Sequence, residues 1–174
     1  WVMVLAEDRP LSDFGFRGAP PARMLLATLM GLGAVVLYSF EPYRALAAGR
    51  LAPTTDGLLF AALFAAAGSA LPEEVLFRGY FMGSLEKRYP RWARVALPAL
   101  AFTVVRSLRY APASGLAVQD WVFYVLGVAL PLGLWWGLMR DLSWSLWPGL
   151  LSHFLLEFGP ALANTSPTSP SPPP

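Results

Sequence analysis

Five apolar stretches, separated by short polar or proline-bearing segments, set the pattern of this chain. They cover residues 23–40, 57–86, 95–108, 121–139 and 143–163. The first holds roughly 17 apolar residues, close to the ~20 that a helix needs to cross a hydrocarbon layer of ~30 Å. This pattern predicts an all-α, polytopic membrane helix bundle with about five or more spans.

The composition agrees with a membrane protein. Hydrophobic residues make up 56% of the 174 residues, charged residues only 14%, and the mean hydropathy is +0.49. Soluble domains carry about a quarter charged residues, and one small core would not bury so many apolar side chains. The chain has no cysteine, which excludes disulfides and thiol chemistry, and a single histidine, His153. A formal charge of +2 gives no reason to expect a nucleic-acid partner.

We divide the chain into three parts. Residues 1–22 are interpreted as the end of an upstream span followed by a connection, in which residues 11–17 either lie at the membrane surface or form a loop. Residues 23–163 form the helical domain, and the Ser/Thr/Pro-rich residues 164–174 are predicted to be a disordered tail. Within the domain, Pro72 is expected to break or kink the second stretch, or to begin a new helix, and Arg140–Asp141 is expected to form a tight turn.

The basic residues predict the orientation of the spans. With five spans and an inside start, eight basic residues fall in inside segments and three in outside segments. The inside group is Arg9, Arg17, Arg23, Lys87, Arg88, Arg91, Arg94 and Arg140, and the outside group is Arg44, Arg50 and Arg109.

The second stretch contains the most unusual polar residues. Glu73, Glu74 and Arg78 lie in a run that is otherwise apolar, where ionised side chains are costly and are retained mostly when paired or functional. On a helix Glu74 and Arg78 are four residues apart, in the favourable order for an ion pair. Glu73 points about a quarter-turn away and has no obvious partner on its own helix. Glu73 is therefore a candidate general base.

Two other stretches contribute ionisable residues at helical spacing. Arg106 follows Phe102 by four residues, and Glu157 follows His153 by four. If these residues converge with the first three, the set contains three acids, two guanidiniums and the only histidine. The plainer interpretation is a polar packing network that fixes helix register. The number of converging charges favours a functional site.

These motifs, in this order on successive membrane helices, resemble those of the CAAX prenyl protease and bacteriocin-processing family of glutamic-type intramembrane endopeptidases. The first motif of that family, Glu-Glu-x-x-x-Arg, matches Glu73, Glu74 and Arg78. The second, Phe-x-x-x-His, resembles Phe102 to Arg106, with arginine in place of histidine. The third, His-x-x-x-Asn, resembles His153 to Glu157, with glutamate in place of asparagine. The resemblance covers about residues 55–160.

The resemblance implies a polar intramembrane cavity in which a glutamate activates water to attack a peptide carbonyl. Carried onto this sequence, Glu73 is the base, Glu74 and Arg78 brace it, and His153 is an oxyanion donor or acid. The implied substrate is a membrane-anchored protein or peptide cleaved near its terminus. The implied location is the lipid bilayer of a prokaryotic cell (inner) membrane, as a multi-pass protein.

The two departures from the family pattern leave two interpretations open. A guanidinium neither accepts a proton nor binds a metal, so no cofactor is expected and a divalent metal is disfavoured. Because the two replacements have opposite charges, we expect Arg106 and Glu157 to pair. Either Arg106 replaces the histidine as an electrophile in an active enzyme, which we favour, or the protein is a disabled member that acts as a scaffold, binding or immunity-type protein.

A small transporter subunit is a further class, which would need polar residues along a continuous path. Five tryptophans are interpreted as interfacial anchors and not as a ligand cage. They are Trp121, Trp135, Trp136, Trp144 and Trp147.

Overall fold

The computed structural model describes residues 10–86, 88–110 and 117–166. These ranges form five long helices, which confirms the predicted all-α bundle. They are α1 (Pro21–Ala47), α2 (Thr55–Leu85), α3 (Arg91–Tyr110), α4 (Val118–Ser143) and α5 (Trp147–Thr165). The predicted upstream span at residues 1–5 and residues 167–174 of the predicted disordered tail lie outside the described residues.

Three of the helices, α1, α2 and α4, are long and apolar enough to cross a membrane. Helix α3 carries four arginines, which lowers its hydropathy. Many large apolar side chains point away from the bundle, and on α1 alone Leu25, Leu26, Leu29, Val36 and Leu37 are exposed. Such an apolar outer surface suits contact with lipid.

Helix α1 is longer than predicted. It continues to Ala47, so residues 41–47, expected in a loop, are helical. Pro42 lies inside the helix and Ser39 has non-helical dihedral angles, because proline removes a backbone hydrogen bond and disturbs the preceding turn. The Ser39 hydroxyl donates to the carbonyl of Leu156 and the Tyr43 hydroxyl to that of Leu155. The kinked end of α1 is therefore held against α5.

Helix α2 passes through Pro72 as one helix, so the expected break or new helix does not occur there. Wider π-helical turns occupy Phe64–Ala70 and Glu74–Phe81, on either side of the α-helical residues Leu71–Glu73. Single π-turns commonly absorb a local irregularity of a helix and are frequent at functional sites. Here Glu73 lies between the two π-helical segments and Glu74 begins the second one.

The predicted turn at Arg140–Asp141 is wrong, because both residues are buried in the last turns of α4. Asp141 accepts hydrogen bonds from Arg91 and Arg94 of α3. Asp141 therefore links α4 to α3 and does not lie in a connecting segment. The chain reverses at Trp144, which has a left-handed backbone conformation (φ 59°).

Residues 10–20, which we call the N-terminal strap, cross the end of the bundle. A short 3-10 helix at Leu11–Phe14 places the Phe14 side chain in full burial, against Val75 and Leu146. The strap therefore packs on protein through Phe14 and is more than a simple loop, and its expected position at the membrane surface stays a prediction. Gly79 permits this contact, since a Cβ atom there would lie 2.9 Å from the Phe14 carbonyl oxygen.

Aromatic rings fill the centre of the bundle. Phe102 of α3 makes edge-to-face contacts with Phe77 of α2 and Trp136 of α4, with ring centroids 5.6 Å apart in both cases. Such arrangements suit the ring quadrupoles and add to the burial of apolar area. This aromatic layer forms one wall of the polar site.

Candidate active site

Arg106 lies at the centre of a buried polar cluster to which three helices contribute. Its Nε donates to Glu73 Oε2 at 2.9 Å and its Nη1 to Glu157 Oε1 at 2.7 Å. Its Nη2 donates to Ser69 Oγ at 2.9 Å and lies 2.7 Å from His153 Nε2. The expected pairing of Arg106 with Glu157 is confirmed. One guanidinium thus bridges both acidic motifs and the histidine.

The contact between Arg106 and His153 determines the state of the imidazole. A guanidinium only donates hydrogen bonds, so Nε2 of His153 accepts and carries no proton. The ring proton is then on Nδ1, which donates to Glu74 Oε1 at 3.0 Å. His153 is therefore a neutral imidazole between a cation and a carboxylate, in the tautomer that each neighbour requires.

Glu74 and Arg78 form a fully buried ion pair behind the histidine. Arg78 Nη1 donates to Glu74 Oε1 at 3.1 Å, and both side chains are 1% exposed. This is the pair that the helical spacing predicts. The second oxygen of Glu74, Oε2, has no hydrogen-bond partner among the described residues and lies beside Gly149, where a Cβ atom would be 3.0 Å away.

The guanidinium of Arg78 is held by aromatic faces as well as by Glu74. It lies 4.4 Å from the ring centroid of Phe102 and 5.2 Å from that of Trp136, and its Nη2 donates to the carbonyl of Gly133. Desolvated cation–π contacts of this kind are worth up to ~2 kcal/mol. They join α2 to α3 and α4 at the depth of the site.

Trp136 is part of the site, so its interpretation as an interfacial anchor is wrong. It is 1% exposed, and its ring stacks on His153 with centroids 4.1 Å apart and planes 15° apart. Its indole Nε1 donates to Ser152 Oγ. The stack fixes the plane of the imidazole. The other four tryptophans are partly or largely exposed, as anchors would be.

Two residues of the cluster were not among the predicted site residues. Ser69 lies four residues before Glu73 on α2, and Arg109 lies three residues after Arg106 on α3. Arg109 Nη1 donates to Glu73 Oε1 at 3.3 Å, so the carboxylate that lacked a partner on its own helix has two on α3. Both residues could have been found from the sequence, because each lies three or four residues from a predicted site residue on the same helix.

A cavity of about 180 Å³ opens beside Arg106 and Glu157. Tyr38, Tyr124 and Trp136 contribute aromatic walls. A larger cleft of about 360 Å³ lies between α2 and α5, but its lining is apolar throughout. The smaller cavity is the one that gives a ligand access to ionisable groups.

The donor set does not suit a metal ion. Among the described residues no group of three or more histidine, aspartate or glutamate side chains is arranged to hold one. The Arg106 guanidinium lies among Glu73, His153 and Glu157 and fills the space that a cation would need. The positive charge of Arg106 would also repel a metal cation placed among these side chains.

The six predicted site residues therefore meet in one place, from α2, α3 and α5. A family model described as Type II CAAX prenyl endopeptidase Rce1-like matches residues 55–159, more than half of the chain. Comparison with curated proteins and with solved structures gave no match. The matched region contains all three motif segments and most of α2 to α5. The family match and the three apolar helices together identify an integral membrane protein, and the chain belongs to the Rce1-like family of type II CAAX prenyl endopeptidases.

Proposed function

We propose that this protein is an intramembrane endopeptidase that cleaves a membrane-anchored protein or peptide near its terminus, with a water molecule activated by Glu73. Membership of a protease family supports this activity. The observation that carries the proposal is that Arg106, which lines a cavity, lies 2.9 Å from Glu73 and 2.7 Å from His153.

The two oxygens of Glu73 are held differently, which supports Oε1 as the basic one. Oε2 faces the buried Arg106 at 2.9 Å, whereas Oε1 is contacted, within the described residues, by Arg109 at 3.3 Å, whose side chain is 52% exposed. An exposed ion pair of this length is worth at most ~1 kcal/mol. Displacement of Arg109 would leave Oε1 free to take a proton from water, while Arg106 keeps the carboxylate in place.

The reaction then needs one proton shuttle and one site for the developing negative charge. The water oxygen bonds to the peptide carbonyl carbon and its proton passes to Glu73. When the C–N bond breaks, Glu73 returns that proton to the leaving amine, as a single acid–base residue does. The charge on the former carbonyl oxygen is stabilised by Arg106, a fixed donor in a site of low dielectric.

Glu74 and Arg78 are positioning residues in this scheme. Glu74 orients His153 through Nδ1, and Arg78 keeps Glu74 ionised and in place. His153 in turn accepts from Arg106, which sets the direction of the guanidinium. The orientation of the Arg106 guanidinium therefore depends on a series of buried contacts. They run from the aromatic rings to Arg78, then to Glu74 and His153, and finally to Arg106.

A second candidate function is binding without catalysis, as in a scaffold or immunity-type protein. It is favoured by the two arginines on Glu73, because a carboxylate with both oxygens in ion pairs is a weak base. Arg106→His, which restores the family's second motif, separates the candidates. A gain of cleavage by this variant over an inactive wild type would favour binding, whereas loss of cleavage would favour a catalytic arginine.

We further propose a multi-pass arrangement in a prokaryotic cell membrane, with α3 and α5 crossing the bilayer beside the three more apolar helices. Both are long enough, at 20 and 19 residues. Their polar side chains at the centre of the site would be shielded from lipid by the neighbouring helices.

The proposed activity is tested by comparing the termini of membrane proteins in cells that carry the wild type or Glu73→Gln. This substitution removes the base with almost no change of shape. The matched control is Glu41→Gln, since Glu41 is exposed, is paired with two exposed arginines and does not contact the cluster around Arg106. A terminus that disappears with Glu73→Gln and persists with Glu41→Gln supports the activity. Identical termini in all three strains, at equal protein levels, would contradict it.

A further inference from the structure

A second polar cluster lies at the opposite end of the structure from Arg44 and is not used in the proposed reaction. Four arginines from the N-terminal strap, α3 and α4 come together there, and we call them the arginine cluster: Arg17, Arg91, Arg94 and Arg140. Only two carboxylates pair with them in the described residues, Glu86 with Arg140 at 3.3 Å, and Asp141 with both Arg91 and Arg94. The cluster therefore has an excess of positive charge.

Two of the arginines lie near the same aromatic ring, that of Trp144. The guanidinium carbon of Arg17 lies 5.6 Å from the centroid of the Trp144 ring and that of Arg94 lies 5.8 Å from it. Arg17 Nε also donates to the Trp144 carbonyl. Both cations are close enough to Arg140 to repel its charge. Such crowding of like charges is unfavourable unless an anion offsets it.

Buried donors in the cluster lack acceptors. Arg140 is 2% exposed, yet its Nε and Nη1 have no hydrogen-bond partner within the described residues. The Nε of Arg94 is likewise buried and unpaired in that part of the chain. A buried donor left unpaired costs about 1–3 kcal/mol, and more when it is charged. An acceptor with several oxygens and a negative charge would satisfy the donors and reduce the repulsion.

We propose that the arginine cluster binds a phosphate group, and that its source is either the headgroup of an anionic phospholipid or free inorganic phosphate. Guanidinium forks match phosphate oxygens in geometry and charge. Arg91, whose side chain is 65% exposed, and Trp144, at 40%, are the exposed members of the cluster, whereas Arg140 is buried. Basic pockets between helices near the membrane surface suit anionic headgroups.

The test uses the full chain, purified in a neutral detergent, and follows its thermal unfolding with three additions. These are phosphatidylglycerol, zwitterionic phosphatidylcholine and inorganic phosphate, and native mass spectrometry counts retained lipids. We expect phosphatidylglycerol to raise the unfolding midpoint of the wild type and phosphatidylcholine to leave it unchanged. An equal rise with inorganic phosphate would support the site and identify free phosphate as the source.

Two variants locate the effect. Arg94→Gln removes a cluster charge, and each arginine near a membrane surface contributes ~1 kcal/mol, so we expect about fivefold weaker binding. Arg91→Gln, at an exposed side chain, serves if Arg94→Gln fails to fold. Arg44→Gln is the control, because its exposed ion pair with Glu41 lies at the far end of α1. The proposal is overturned if no phosphate compound stabilises the wild type, or if Arg44→Gln weakens binding as much as the cluster variants.

Discussion

At the scale of single residues, Arg106 occupies the position that a histidine has in the family's second motif. It forms ion pairs with Glu73 and Glu157, and in the proposed reaction it also stabilises the developing oxyanion. A histidine would supply a proton acceptor and one donor at most, whereas arginine only donates. The site is therefore organised around a permanent charge, and in the proposed reaction the base is the carboxylate of Glu73.

Arg109 is expected to limit access to the basic oxygen of Glu73. Replacing Arg109 with glutamine removes the ion pair to Oε1 and should increase the reaction of Glu73 with a hydrophobic carbodiimide by up to about fivefold, the factor equivalent to ~1 kcal/mol. Peptide mass spectrometry measures this labelling. Glu74 is the internal standard and Arg44→Gln the control. Equal labelling of Glu73 in wild type and Arg109→Gln would show that Arg109 does not cover it.

Gly79 is expected to be intolerant of a side chain for a steric reason. In Gly79→Ala the methyl group would meet the Phe14 carbonyl at 2.9 Å, so the strap must move, at a cost of about 1–3 kcal/mol. Gly68→Ala on the same helix is the control, since only the Phe64 side chain lies near, at 3.5 Å. Thermal unfolding in detergent measures both. An unchanged midpoint for Gly79→Ala would mean that the strap does not pack as described.

At the scale of elements, α2 joins the polar site to the rest of the bundle. It carries both glutamates of the first motif, with Glu73 between its two π-helical segments and Glu74 at the start of the second. Arg78 reaches from α2 to the Phe102 ring on α3 and to the Gly133 carbonyl on α4. Packing of these helices and ionisation of the site are therefore coupled through one side chain.

Loss of Arg78 is expected to damage folding more than loss of an exposed arginine. Arg78→Met leaves Glu74 buried without its cation, and breaking a buried pair in this way costs about 3–5 kcal/mol. Adding Glu74→Gln should recover part of the loss, because the stranded charge is removed. The yield of monodisperse protein in detergent measures this, with Arg44→Met as the exposed control. No recovery in the double variant would argue against an ion pair.

At the scale of the whole molecule, the helices alternate in direction and bring the strap, Arg91 and Arg140 to one end, while Arg44 and Arg50 lie at the end of α1. The bias of basic residues predicts that the strap end faces inward. Along their helices, Glu73 and His153 lie well inside α2 and α5, whereas Arg106 lies in the last turns of α3.

The predicted orientation is testable because the chain has no cysteine. Single cysteines at Gly18 and Ala48 occupy exposed positions before and after α1. A membrane-impermeant maleimide added to intact cells should label Ala48→Cys, and should label Gly18→Cys only after permeabilisation. Labelling of both sites in intact cells would contradict a span between them, and the reverse result would invert the orientation.

Much of this architecture follows from sequence patterns. Apolar stretches locate the five helices, and spacing of four residues anticipates the contact between Glu74 and Arg78. Local pattern did not reveal how α1 extends through Pro42, or that Trp136 lies in the core, because these depend on contacts with α5 and with His153. The partners of Glu73 also come from another helix. These three features are determined by contacts between helices, which a short stretch of sequence does not contain.

The cleavage rate of purified protein in vesicles tests most directly whether Glu73 is the general base. Its substrate is the membrane protein whose terminus depends on Glu73 in cells. We expect Glu73→Gln to lower the cleavage rate by at least about a hundredfold relative to the wild type, because the variant lacks the general base. Glu41→Gln should cleave like the wild type. A Glu73→Gln rate equal to that of the wild type would contradict the assignment of Glu73 as the base.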